Sequence, residues 1–221
     1  MVKREESLDQ LKKLHFRAHP WHGITIGEEA PKVVNSFIEM VTTDTVKYEM
    51  DKETGYLKIN RPQKFSNICP TLYGLIPQTL CSQRVAEYSI PKTGRRSDEI
   101  AGDEDPMDIC ILTEKTISHG DIVLRAIPIG GLRMIDQGKA DDKIIAVMQG
   151  DALYGEWKDI DDCPTSFIDR LKHYFLTYKD LPDSKKRICE ITGVYGKSEA
   201  YEIIERSHED YNRVFNGKTL P

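Results

Sequence analysis

A small β-barrel with helices packed on its outside is the fold this sequence predicts. As far as Met148, short alternating or apolar runs of strand length are separated by turns bearing glycine and proline. Amphipathic helical periodicity is concentrated after Pro164. No Gly/Ser/Pro-rich linker divides the 221 residues, so residues 1–221 read as one domain.

The elements follow in chain order. Leu8, Leu11 and Leu14 give the N-terminus a weak helical pattern that ends near HPWHG. Val33–Val41 reads as a strand. Thr45–Met50 alternates, with Val46, Tyr48 and Met50 on one face and Lys47 and Glu49 on the other. DKETG is a hairpin loop in which Gly55 can take a positive φ. Tyr56–Arg61 is the return strand, stopped by Pro62. PTLYGLIPQT, with two prolines and a glycine, reads as irregular. The polar stretch Cys81–Ile100, with PKTGRRSDE inside it, reads as an exposed insertion. Strands follow at Asp108–Leu112 and Ile122–Ile129, a turn at RMIDQGKADDK, and a strand at Ile144–Met148. In Pro164–Lys179 a helix puts Phe167, Leu171, Tyr174 and Tyr178 on one face. Arg187–Val194 reads as a last strand. Ser198 then caps a helix through Phe215, with Asn216-Gly217 as its stop.

Composition narrows the function classes. The net charge of −5 argues against a dedicated nucleic-acid or anionic-membrane binder. The first twenty residues have no apolar signal region, and no run is long enough to span a bilayer. The five cysteines (Cys69, Cys81, Cys110, Cys163, Cys189) are odd in number and scattered, without a C-x-x-C. They read as reduced thiols of a cytoplasmic protein, with Cys110 and Cys189 in the core. His15, His19 and His22 have no carboxylate or thiol at a ligand spacing and read as structural or surface residues.

The chemistry concentrates in GDEDPMDICIL, where Asp103, Glu104, Asp105 and Asp108 crowd round Pro106 before an apolar strand. Pro106 pushes Asp105 towards extended backbone, so this is a turn feeding a strand and not a helical charge ladder. Such acids either sit solvated or hold cations. An EF-hand loop fails here: Met107 stands at a ligand position and Asp108 where glycine is needed. A second acidic group, Asp136, Asp141 and Asp142 about Gly138, lies beside apolar strands as well. Two groups at strand ends can converge at one end of a barrel, and several hard oxygen donors suit Mg2+ or Mn2+. Glu39 interrupts the apolar run FIEMV. It must meet a cation, a metal or solvent at a sheet edge. GVYGKS ends like a phosphate-binding loop but lacks its first glycine, and no G-x-G-x-x-G, G-x-S-x-G or H-E-x-x-H occurs.

The pattern Gly102-Asp103-x-Asp105-Pro106-x-Asp108 resembles the signature of the family I soluble inorganic pyrophosphatases. Lys47-Tyr48-Glu49-Met50-Asp51 with its DKETG turn, Arg61, Pro70-x-x-Tyr73-Gly74, the run from Asp136 through Asp141 to Lys143, and Tyr178-Lys179 match further segments in order. The matching segments run from about Val33 to Lys179; residues 1–30, the Cys81–Ile100 insertion and much of the C-terminal tail lie outside the match. Cys69 stands where many bacterial members have tyrosine, Leu72 where asparagine is usual, and Glu104 where a small or neutral residue is common.

The resemblance implies an OB-like five-stranded barrel with flanking helices. It implies a homo-oligomer that hydrolyses pyrophosphate to two orthophosphates with several Mg2+ ions, Mn2+ being a substitute. Asp103, Asp108, Asp136 and Asp141 would hold the metals, and Glu39 and Glu49 would support further metal positions or their waters. Asp105 would be the general base for the attacking water. Lys47, Arg61, Tyr73, Tyr178 and Lys179 would grip phosphate oxygens, and Lys143 would balance the acids beside it. No nucleic-acid or membrane partner is expected.

Taken singly, several of these residues have plainer readings. Lys47 and Glu49 suit the wet face of a half-buried strand. Tyr178 falls on an apolar helix stripe. Arg61 shares parity with Leu57 and Ile59, so only a bulge or the strand's end would turn it into a site with Lys47. The ordered match favours the functional reading. Its rivals are a nucleic-acid-binding barrel, a hydrolase of organic phosphates, and a structural metal protein.

Overall fold

The computed structural model describes residues 17–96, 99–180 and 187–217. The described residues form ten strands and three main helices; the seven predicted strands and two predicted helices occur in their predicted order, while three strands and one helix were not announced by the sequence. The strands are β1 (Val34–Met40), β2 (Val46–Met50), β3 (Leu57–Pro62), β4 (Leu72–Leu75), β5 (Ala101–Gly102), β6 (Asp108–Leu112), β7 (Ile122–Asp136), β8 (Lys139–Ala140), β9 (Lys143–Met148) and β10 (Cys189–Gly196). The helices are α1 (Gln83–Thr93), α2 (Thr165–Thr177) and α3 (Lys197–Tyr211).

Five strands close a ring in the order β1, β4, β6, β9, β7, with β7 returning to pair β1. The predicted OB-like barrel is therefore present. β10 extends β7, and the β2–β3 hairpin forms a separate two-stranded sheet. β6 and β9 run parallel, and their alternate residues feed two cores. Ile109, Ile111, Ile144 and Ala146 pack with Ile203 and Ile204 of α3. Cys110, Leu112, Ile145 and Val147 pack with Leu171 and Phe175 of α2. Burial on both faces explains why DICIL and KIIAV are apolar runs and not alternating ones.

Four expectations are corrected. PTLYGLIPQT contains the core strand β4, because Pro70 and Pro77 flank the strand instead of interrupting it. Gly74 is required there, since a Cβ would come within 1.9 Å of the Phe37 carbonyl oxygen on β1. The Cys81–Ile100 insertion is mostly helix α1, with Gly94 left-handed at its end. Its buried face is only Val85, Ala86 and Ser89, too small to stand out beside Pro91. β7 runs on to Asp136, so the expected long turn shrinks to Gln137-Gly138, both at positive φ. Gly196, not Ser198, precedes the first turn of α3. Asp159 accepts the Lys197 amide at 3.2 Å and leaves no room for a side chain at residue 196.

His15 and the N-terminal leucine pattern fall outside the described residues. His19 accepts the amides of Trp21 and His22, and His22 bonds the Tyr211 hydroxyl at 2.8 Å, which gives both structural roles. All five cysteines are buried free thiols. Among the described residues no helix is long and apolar enough to cross a membrane.

Candidate active site

Strand ends and turns from across the chain surround one cavity of about 480 Å3. β1 supplies Glu39, and β2 supplies Lys47 and Glu49. β4 supplies Tyr73. The acidic turn supplies Asp103 and Asp105, and Asp108 opens β6. Asp136 ends β7, Asp141 and Lys143 lead into β9, and Tyr178 and Lys179 follow α2. Every sequence-predicted site residue except Arg61 lines it.

Two bulges do what strand alternation alone could not. β1 pairs Ile38 with Gly74 and Met40 with Tyr73, so Glu39 is the extra residue. The bulge turns Glu39 to the cavity, and its Oε1 accepts the Met50 amide at 2.7 Å. β1 is paired on both sides, by β4 and β7, so Glu39 is no edge-strand guard. On β3, Lys47 faces Arg61 while Tyr48 faces Ile59, which leaves Asn60 as the extra residue. The Arg61 side chain thereby joins the Lys47 face. Its guanidinium lies 5.4 Å from the Tyr178 ring centre, and its buried Nη2 has no hydrogen-bond partner among the described residues.

The electrostatics show a cavity short of positive charge. Seven carboxylates line it, against five lysines. Burial pushes the Glu39 carboxyl up to about 8, and Asp108 adds to the shift. Burial also raises Asp103, with the Asp141 charge next in effect. Burial raises Asp141 against the pull of Lys143. Lys143 is fully buried and bridges Asp108 and Asp141. Burial works against its ammonium, yet the two aspartates outweigh it and hold its pKa well above the usual value. Lys179 pairs with Asp136, which also accepts from the Cys189 thiol at 3.6 Å. Tyr73 and Tyr178 have pKa values raised by burial, so their hydroxyls stay protonated and can donate.

Sequence reasoning missed Lys52, Lys139 and Gln137, which also line the cavity. Lys52 pairs with Asp105 and donates to the Glu104 carbonyl at 3.0 Å. Its place inside the matched DKETG turn was the available signal. Cys69 and Leu72, the two departures beside Tyr73, are buried away from the cavity in the two cores. Glu104 points away from the cavity too.

The donor set fits hard divalent cations. All its anionic donors are carboxylate oxygens, from two separate acidic segments plus Glu39 and Glu49. Among the described residues no three His, Cys, Asp or Glu side chains are placed to hold one ion as they stand. Lysines lie between the acids and take up part of the charge that cations would balance.

Comparison with known proteins gives a consistent picture. The family profile described as inorganic pyrophosphatase matches residues 36–212. The chain is 52% identical over 201 residues to an inorganic pyrophosphatase of Chlamydia muridarum, covering 89% of this chain and 95% of that one. It is 38% identical over 175 residues to a soluble inorganic pyrophosphatase of Oryza sativa, covering 79% and 72%. The crystal structure of inorganic pyrophosphatase from Thermus thermophilus superposes with a TM-score of 0.73 at 28% identity, covering 88% of this chain and 99% of that one.

Proposed function

The chain belongs to the inorganic pyrophosphatase family, and from that premise we propose that it hydrolyses inorganic pyrophosphate to two orthophosphates with Mg2+. The observation that carries this reading is the convergence of two distant acidic segments on one cavity that five lysines also line. Asp103, Asp108, Asp136 and Asp141 would hold the cations, with Glu39 and Glu49 behind them. Bound divalent ions neutralise the phosphate oxygens and make water a better nucleophile near neutral pH.

The remaining work falls to the chain's own groups. Phosphoryl transfer asks a protein mainly for positioning and charge complementarity. Asp105 accepts the proton of the attacking water at its carboxylate, which Lys52 holds in place. Lys47, Arg61 and Lys179 bind the phosphoryl oxygens as fixed positive charges. Tyr73 and Tyr178 donate hydroxyl hydrogen bonds to the same oxygens. Lys143, locked between Asp108 and Asp141, keeps those two acids apart and oriented.

Five buried thiols support a reducing, cytoplasmic setting. The exposed Tyr56, Ile59 and Phe65 on and after the β2–β3 hairpin support self-association as a homo-oligomer, which sedimentation would check. Residues 1–221 are taken as one domain.

The test is phosphate release from pyrophosphate, with and without Mg2+, beside ATP. Fast Mg2+-dependent release from pyrophosphate with little from ATP supports the reading. Equal release from ATP moves it to a hydrolase of organic phosphates, and no release from either overturns it. Asp108→Ala weakens Mg2+ binding in a titration. An unchanged titration removes Asp108 from the ligand set.

A further inference from the structure

Ser82 heads helix α1, and a serine there normally caps its own helix by accepting an amide from the first turn. It does not do so here. Its hydroxyl donates instead to Glu104 Oε1 at 2.8 Å. The capping is done from α3, where the buried Asp210 accepts the Arg84 amide at 3.0 Å.

Glu104 is the residue between Asp103 and Asp105, and its backbone is left-handed at φ 62°. An ordinary side chain at such a position is strained unless its surroundings hold it. Three contacts do so. Its amide donates to the Cys81 carbonyl at 3.1 Å, its carbonyl accepts from Lys52 at 3.0 Å, and its carboxylate takes the Ser82 hydroxyl. The Cys81 amide in turn donates to the Asp105 carbonyl at 2.8 Å. Gly102 lies so close to this segment that a Cβ would meet the Cys81 carbonyl oxygen at 2.3 Å. The acidic turn is thus stapled, residue by residue, to the two residues that lead into α1.

We propose that Glu104 is a positioning residue for the hydrolytic site: held by Ser82 at the head of α1, it fixes the left-handed turn that aims Asp103 and Asp105 into the cavity. The proposal rests on the pyrophosphatase reading above. It makes α1 a buttress of the acidic turn, and Asp210 of α3 the anchor of that buttress. A carboxylate in the middle of the acidic motif then works outside the cavity, as an acceptor.

The test compares Glu104→Gly, Glu104→Gln and Ser82→Ala with the wild type. Glycine takes positive φ freely, so Glu104→Gly relieves backbone strain while cutting the tie to α1. Misplacing reacting groups by a fraction of an ångström costs turnover, so kcat should fall about tenfold with KM for pyrophosphate within about twofold. Glu104→Gln still accepts from Ser82 and should stay within about threefold of wild-type kcat. Ser82→Ala should lose what Glu104→Gly loses, and the double variant Ser82→Ala/Glu104→Gly no more than either, because one bond is being removed twice. Amide hydrogen exchange across residues 103–107, read by mass spectrometry on metal-free protein, should rise in Glu104→Gly and Ser82→Ala and not in Glu104→Gln.

Wild-type kcat in Glu104→Gly with unchanged exchange overturns the proposal. So does a loss in Glu104→Gln as large as in Glu104→Gly. An inactive wild type defeats the pyrophosphatase reading alone; the exchange pattern then decides whether the clamp exists, and an unchanged pattern overturns it.

Discussion

Asp141 and Asp142 are adjacent in sequence, and their side chains go to opposite sides of the chain leading into β9. Asp141 faces the cavity, where it shares Lys143 with Asp108. Asp142 faces a closed interior, with Arg133 Nε 3.8 Å away and Tyr195 beside it. Arg133 also pairs with Glu199 of α3. Both acids are raised by burial, Asp142 to about 6. One cluster opens on a space where ions and substrate can enter. The other is sealed by β10 and α3 and can only balance itself. Charge clustering does not by itself mark a reactive site; access does.

The largest contrast is expected from substitutions that hit one cluster at a time. Asp105→Asn removes the proton acceptor while keeping the shape, and turnover should fall by about two to four decades. Its unfolding midpoint should barely move, because Asp105 is half exposed. Asp142→Asn should do the reverse. Removing one partner of a buried charge pair costs about 3–5 kcal/mol, visible in urea unfolding, while kcat per folded molecule stays within about threefold. Full turnover in purified Asp105→Asn removes that residue's role. A large kcat loss in a fully folded Asp142→Asn erases the distinction between the clusters.

The next contrast is in pH. Glu39 at about 8 and Asp142 at about 6 both lie above the unfolded carboxylate range near 4. The native state therefore keeps protons that the unfolded chain has released. Stability from these groups is full below about pH 4 and is lost as pH rises through 6 and then 8. Asp151 and Asp162, held low, act only below that window. Metal-free protein should thus lose stability from pH 5 to 8.5. Between about pH 4 and 6 both groups contribute to the loss, and between about 6 and 8 only Glu39 does; added Mg2+ should therefore flatten the upper range and leave in the lower one the part that Asp142 supplies. Parallel thermal midpoints with EDTA and with Mg2+ would show that cations do not reach Glu39.

The same contrast explains what the sequence could announce. Asp103, Asp105 and Asp108 were legible because the proline between them marks a turn feeding a strand and because the spacing of the acids matches a family signature in order with other segments; the crowding alone fits a solvated loop as well. Alternation put Lys47 and Glu49 on one face of their strand, and only the family resemblance made that face a site. The placements of Glu39 and Arg61 were not, because each depends on a bulge, and a bulge is fixed by the partner strand's register. α1 was hidden by its small buried face and by Pro91. The closed cluster was hidden because Arg133 fell in what read as a turn, while its partners Tyr195 and Glu199 lie some sixty residues away. Local chemistry writes itself into short motifs, whereas long-range packing of single charges does not.

The smallest effect expected is at the outer end of the closed cluster. Lys92 of α1 donates to Glu199 Oε1 at 2.6 Å, and Glu199 passes the contact on to Arg133 and so towards Asp142. Lys92 is about one-third exposed, so solvent already screens this pair. Lys92→Met removes the ammonium that lies 3.9 Å from the Tyr88 ring centre together with its bond to Glu199, and leaves Glu199 its pairing with Arg133. The cost should be about 0.2–1 kcal/mol, the range of exposed ion pairs, with kcat unchanged. A kcat loss beyond about threefold in this variant, with its unfolding midpoint intact, would mean that the chain from Lys92 through Arg133 to Asp142 transmits to Asp141. The two clusters would then be one electrostatic unit, and α1 would reach the cavity by a second route besides Ser82 and Glu104.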